Sequence, residues 1–316
     1  MTTRLDVGVF TRPVLFDVAR RIGAFAAAGL DVREHPVSSS PDQFRRAFSG
    51  EFDAILTNPD NTLAYHFDST NPLATTLAVE IVAGIDRGLG LTLCAHDDRA
   101  IHRRRPRVGV DAATSGFALL AYALLEQLGI ARDDIEIVTL GSTPRRAVAL
   151  AAGDCDITIL NAGNELVAHS RGCVFLASST DVGPYIGTVL ARVEPSARAE
   201  DETRPQVDEV ERDEAVVALR TVLLETTERI VSGDVTDLVV DSASGVLGLT
   251  DEEARRHAEI LRDDNHGLIR GGTIDSGSME TIISLRERYA PSMVTSMLRA
   301  GWTELLASPP DHPPTT

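Results

Sequence analysis

The sequence predicts an α/β protein of two similar lobes, each a parallel-dominated sheet flanked by helices, with the second lobe inserted into the first. Three observations carry that expectation. The stretch Ser39–Asn58, SSPDQFRRAFSGEFDAILTN, returns at Ser142–Asn161 as STPRRAVALAAGDCDITILN, aligned without a gap at an offset of 103. A spacing of that size implies two lobes rather than a solenoid, whose period is about 20 to 50 residues. Strand-like and helix-like segments alternate up to residue 192, the pattern of parallel sheets, and 316 residues suffice for two domains with cores of their own.

Each copy of the repeat reads as a helix feeding a buried strand. Ser40 or Thr143 is placed to N-cap, Pro41 or Pro144 opens the helix, and Gly50 or Gly153 closes it before a short apolar run. Around the first copy, a strand is expected at 5–10, one amphipathic helix at 16–30, a strand at 31–37, a strand at 52–57, a short helix at 62–70 and a strand at 77–83. LGLTLCA at 89–95 reads as the first crossing between lobes, and His96 to Arg107 as a charged surface loop. Val108-Gly109-Val110 repeats Val7-Gly8-Val9 and opens the second lobe. A helix at 117–128 stopped by Gly129, strands at 135–140 and 173–177, and a return crossing at 185–192 complete it.

The expected boundaries are therefore 1–92 with 190–307 for the first lobe and 93–189 for the inserted one. Residues 194–214 read as an acidic surface insertion, and the tail 308–316 as disordered. Helices are expected at 214–232, at 251–263 behind a Thr250/Glu253 capping box, at 278–289 and at 291–306.

Composition excludes several function classes. Forty-seven acidic residues against thirty basic ones give a net charge of −17, which argues against nucleic acid and against an anionic membrane surface as partners. Every basic residue is Arg; without Lys there is neither a Schiff base nor a Walker-type phosphate loop. Cys94, Cys155 and Cys173 have no metal or redox spacing; Cys94 and Cys155, in apolar runs, read as buried packing residues, and an odd count without a framework fits a reducing compartment. The amino terminus enters a strand at once with no leader pattern, which places the chain in the cytosol, and no apolar run is long enough for membrane insertion. Neither a metal nor a cofactor is expected.

Taken together, SSPDQFRRAFSGEFDAILTN, VGVDAATSGFALLAYALLEQLGI, STPRRAVALAAGDCDITILN and GLIRGGTIDSGSMETIISLRERYA resemble the solute-binding family that serves uptake of sulfonates, nitrate and thiamine-pyrimidine precursors, over most of residues 4–290. The resemblance implies the type II periplasmic-binding-protein-like fold, with a small molecule held between the lobes. An ABC permease is the implied partner if the chain is exported. The family also contains a thiamine-pyrimidine synthase and an aromatic sulfinate desulfinase. This sequence departs from both: it has no Cys-rich iron motif, and its first loop is Thr11-Arg12-Pro13, with no Cys for thiolate attack.

In an open α/β sheet, ligands lie beyond the carboxyl ends of the strands. By that logic the candidate ligand-binding residues are Thr11, Arg12, Ser39, Ser40, Asn58, Asp60, Asn61, Thr114, Ser115, Gly116, Ser142, Thr143, Asn161 and Asn164. Several open helices, where free N–H groups favour an anion, and Arg12 is the cation expected among them. The leading expectation is a binding protein for a small polar or anionic organic ligand. The alternative is a metal-free lyase, decarboxylase or hydrolase using the same cleft, with Asp60 and His66 as general acid and base if the helix from 62 sets them on one face.

Overall fold

The computed structural model describes residues 2–196, 209–292 and 295–307. The first sheet receives β1 (Thr3–Val9), β2 (Leu30–Pro36), β3 (Ala54–Thr57) and β4 (Val79–Asp86), interleaved with α1 (Val14–Arg21), α2 (Ala24–Ala27), α3 (Ser40–Phe48) and α4 (Pro59–Phe67). The chain then leaves it. β5 (Thr92–Ala95), β6 (Arg107–Val110), β7 (Glu136–Thr139), β8 (Ile157–Leu160) and β9 (Val174–Ser178) form a second sheet with α5 (Gly116–Gln127), α6 (Thr143–Ala152) and α7 (Asn164–Ser170). β10 (Thr188–Val193) returns to the first sheet. Five helices follow: α8 (Glu209–Ser232), α9 (Thr236–Leu247), α10 (Asp251–Arg262), α11 (Ser276–Tyr289) and α12 (Thr295–Gly301).

The two sheets share one topology. Their strand orders are β2-β1-β3-β10-β4 and β7-β6-β8-β5-β9. In each, one strand contributed by the other half of the chain, β10 or β5, runs antiparallel between its neighbours and the rest are parallel. The repeat seen in the sequence is preserved to the residue. Val7 pairs with Ala54 and Val108 with Ile157, offsets of 101 and 103.

The repeated residues explain themselves in this frame. The Asp53 carboxylate accepts the Asp6 backbone N–H at 2.8 Å and its copy Asp156 accepts that of Arg107 at 2.7 Å, fixing where each central strand pair begins. Gln43 donates to the carbonyls of Gly8 and Leu56, and Arg146, at the equivalent place in α6, bonds Ile159 O and the Thr158 hydroxyl, which in turn reaches Gly109 O. A buried polar side chain thus staples each helix to two strands, satisfying groups that burial would otherwise leave unpaired.

Several boundaries differ from the expectation for local reasons. The single helix expected at 16–30 is two, because Gly23 takes a left-handed φ of 75° between α1 and α2. The N-caps fall one residue earlier than expected: Ser39 caps α3 by accepting from Asp42 N, and Ser142 precedes α6. α4 begins at Pro59 rather than 62, with Asn58 as its N-cap. β4 continues through Gly84-Ile85-Asp86, a stretch that reads as a turn. α9 was not expected, since its β-branched, Ser and Gly residues favour no helix; packing of Val239, Ser242 and Ala243 against α1 and α10 holds it. Of the expected insertion at 194–214, residues 209–214 are the start of α8, while 197–208 and the tail 308–316 lie outside the described residues.

Candidate functional site

Two segments join the sheets, between Asp86 and Thr92 and between Ser178 and Thr188, and they touch. A Cβ on Gly187 would lie 2.3 Å from Gly88 Cα, so only glycine permits the approach. The paired asparagines secure this crossing. Asn58 Nδ2 donates to Gly187 O and to the Tyr185 hydroxyl, both at 3.1 Å, and Asn161 Nδ2 donates to Gly88 O at 3.0 Å. Each asparagine ends a central strand of its own sheet and holds the crossing segment that leads away from the other.

Beside this crossing is a cavity of about 90 Å³ walled by both halves of the chain. That is room for several water molecules, each needing roughly 10–15 Å³. Its apolar lining includes Phe10, Val14, Leu56, Ile85, Phe117, Leu247 and Leu268; its polar groups are Thr11, Arg12, Thr57, Asn58, Asn61, Asp86, Asp111, Ser115, Thr143, Arg146, Asn161, Thr188 and His257. The exposed surface of the wall is mostly apolar with polar groups converging on it, the usual make-up of a small-molecule site.

Of the residues named from the sequence, Thr11, Arg12, Asn58, Asn61, Ser115, Thr143 and Asn161 line this cavity. Ser40 and Thr114 border a separate crevice on the far side of Ser115 and Asn61. Ser39 is spent on capping, Ser142 is buried ahead of α6, and Asn164 Nδ2 bonds Asn161 O and the Thr11 hydroxyl. Gly116 lies so close to α4 that a Cβ there would sit 2.1 Å from Asn58 Oδ1. Arg12 is at the rim, its side chain 58% exposed and its guanidinium 4.0 Å from Glu34.

Asp60 and His66 are not brought together, which corrects the expected acid–base pair. Six positions along a helix turn a side chain by about 240°, so the two diverge. Asp60 is 1% exposed and held bidentately by Arg286 at 2.6 Å to both carboxylate oxygens, and Arg286 also donates to Thr114 O at 3.0 Å. His66 accepts from Val79 N through Nδ1 at 3.3 Å, beside Phe67.

Four titratable cavity residues escaped the sequence reading. Asp111 follows β6 directly and was legible by the strand-end rule that named Thr11. Its carboxylate accepts from the Ser115 hydroxyl at 2.5 Å and the Ser40 N–H at 3.4 Å, so the chain itself supplies an anion at the openings of α3 and α5. Arg146 is fully buried beneath the wall, its guanidinium pKa lowered by desolvation and pushed back by the field of Asp111. Asp86 was hidden by the turn-like glycines around it. His257 and its neighbours on α10 had no signal beyond helical periodicity.

Burial sets the protonation of this wall. Asp86 is pushed up to about 7 by desolvation, against hydrogen bonds from Gly88 N and the Thr188 hydroxyl. Glu165, behind the wall beside Gly90, is pushed up to about 8 by the same cause, and burial lowers His257 to about 4. A carboxyl whose pKa is raised on folding stabilises the fold fully below its unfolded value and loses that contribution as pH climbs to and through the folded value; a buried neutral histidine acts on the acid side instead. Of that loss, about 2 kcal/mol should fall between pH 6.5 and 8 in the ligand-free protein. Melting curves across that range should show a fall of a few degrees, reduced by Asp86→Asn and by Glu165→Gln; a flat profile contradicts the buried protonated acids.

No family model matches the chain, and no curated protein matches it. Solved structures do. The periplasmic nitrate-binding protein NrtA of Synechocystis PCC 6803 superposes with a TM-score of 0.73 at 10% identity, over 96% of this chain and 86% of that one. The alkanesulfonate-binding protein SsuA of Xanthomonas axonopodis pv. citri, solved bound to MOPS, gives 0.65 at 13% identity, over 97% and 95%. A Candida albicans gene product described as having the generic periplasmic binding protein fold gives 0.68 at 13%, over 97% and 96%. With its two sheets of one topology and its exchanged antiparallel strands, the chain has the fold of the periplasmic solute-binding proteins.

Proposed function

We propose that the chain is a small-molecule-binding protein of the ABC-transporter solute-binding type, whose lobes, 1–92 with 190–307 and 93–189, close on a polar organic ligand. The cavity beside the Gly88/Gly187 crossing carries this reading, because residues from both sheets wall it and both asparagines of the repeat border it. An ABC permease is the partner if the chain is exported; otherwise the protein captures its ligand in the cytosol. The helix openings speak for an anionic ligand group, but Asp111 already lies at two of them, so the remaining charge on the wall decides the ligand's polarity. The enzyme reading loses its acid and base, since Asp60 is neutralised by Arg286 and His66 lies elsewhere.

The test is a thermal-shift panel of small organic acids, amines, sulfonates and heterocycles at millimolar concentration, with native mass spectrometry for retained molecules. A ligand present at a hundredfold its Kd stabilises by about 2.7 kcal/mol, a readable shift. At least one compound should raise the melting temperature, and Thr11→Trp, which places an indole at the cavity, should remove the effect. A panel with no shift and no retained molecule overturns the reading.

A further inference from the structure

Five titratable side chains line the cavity, and three of them have a charged neighbour. Arg12 lies near Glu34 at the rim. Asp111 and Arg146 face each other's fields under the wall, and His257 is neutral. Asp86 is different. It is 2% exposed, ends β4, and forms no ion pair with any described residue; the donors it meets are neutral, the Gly88 N–H at 2.8 Å and the Thr188 hydroxyl. Burial favours the protonated form of such a carboxyl, and a cation arriving beside it favours the ionised form and displaces that proton.

A second group on the same wall is also unspent. His257 is 1% exposed and its Nδ1 has no hydrogen-bond partner. The backbone connects it to Asp86: Asp86 pairs with Leu268, whose N–H donates to Leu261 O at 3.0 Å, and Leu261 is one helical turn from His257 on α10. Asn161, which is tied to Gly88 O, borders the cavity as well. Ionised Asp86 is a hydrogen-bond acceptor with no charged partner, and what it lacks is a donor that carries positive charge; the neutral imidazole can accept through whichever ring nitrogen is unprotonated.

Resting on the binding function proposed above, we infer that the ligand carries a cationic nitrogen, a protonated amine or a guanidinium, which pairs with Asp86, while its apolar body lies against Phe10, Leu56 and Phe117. This reverses the polarity that the helix openings suggest. It also gives β4 a reason to continue through Gly84 and Ile85: the extension delivers a carboxylate to the cavity rather than a turn to the surface.

The experiment compares matched probes by calorimetry: phenethylamine against phenylacetate, and butylamine against butanesulfonate, with wild type, Asp86→Asn and Thr11→Trp. The amines should bind at least about tenfold tighter than their anionic counterparts, as expected for a hydrogen bond to a charged group. Asp86→Asn should lose that preference while keeping its melting temperature within a few degrees, since no native ion pair is broken. Should the substitution unfold the protein, chemical-shift changes of the Gly88 amide on adding phenethylamine to wild type report the same contact. Tighter binding of the anions overturns the cationic assignment and leaves the binding function standing, as does amine binding that Asp86→Asn leaves unaltered. If neither series binds, the assignment falls, and the binding function is judged by retained molecules and the Thr11→Trp comparison.

Discussion

Replacing Arg286 with alanine is expected to lower the unfolding free energy by about 3–5 kcal/mol, because it leaves the Asp60 carboxylate buried without a counter-charge. Arg286 comes from α11, Asp60 from α4 and Thr114 from the loop ahead of α5, so one guanidinium ties together elements flanking both sheets. The pair is almost dry, with side-chain exposures of 6% and 1%. Removing both charges with shape retained, as in Asp60→Leu with Arg286→Met, should recover most of the loss, since replacing a whole buried pair is often neutral. Urea unfolding of wild type, the single variant and the double variant measures this. A single-variant loss under about 1 kcal/mol is the outcome for a solvated surface pair and contradicts the burial described.

The second large effect is at the crossing. Gly187→Ala places a methyl 2.3 Å from Gly88 Cα, 2.5 Å from Gly88 N and 2.6 Å from Asp86 Oδ1, and neither backbone atom can rotate away. Overpacking of this kind costs about 1–3 kcal/mol. Because Asn58 and Asn161 hold the same two segments, the displacement should also loosen their bonds to Gly187 O and Gly88 O, and ligand binding should weaken with stability. Gly245→Ala serves as the control: nothing lies within 4 Å of the place its methyl would occupy and it sits inside α9, so alanine should be neutral or stabilising by about 0.5–1 kcal/mol. Equal unfolding midpoints for the two variants, with unchanged amide exchange at 86–92, contradict a tight crossing.

Much of the fold was legible because it is written twice. Ser39–Asn58 and Ser142–Asn161 each encode a helix, a glycine stop and a buried strand, and the matched Asp53/Asp156 and Asn58/Asn161 have matched roles in the two sheets. The candidate site was half legible. Residues directly after strands, such as Thr11, Asn58 and Asn161, follow from the rule that ligands lie at the carboxyl ends of parallel strands. Asp60 shows the limit of that rule: position on α4 is set by sequence, but its partner Arg286 is 226 residues away and only packing brings the two together.

The sequence by itself determined the two related sheets, most of the order of their elements and the strand ends where a ligand is to be sought, because hydrophobic period, caps and glycine stops are local. The charge of the cavity was decided by the tertiary structure alone. Whether Asp60 is a free acid or a neutralised anchor, whether a helix opening is vacant or already holds Asp111, and whether Asp86 has a partner all depend on distances between residues far apart in the chain. Those distances are fixed by the packing of both sheets, α10 and α11, and electrostatic energy falls with distance and rises with burial, so polarity could not be read before the fold was in place.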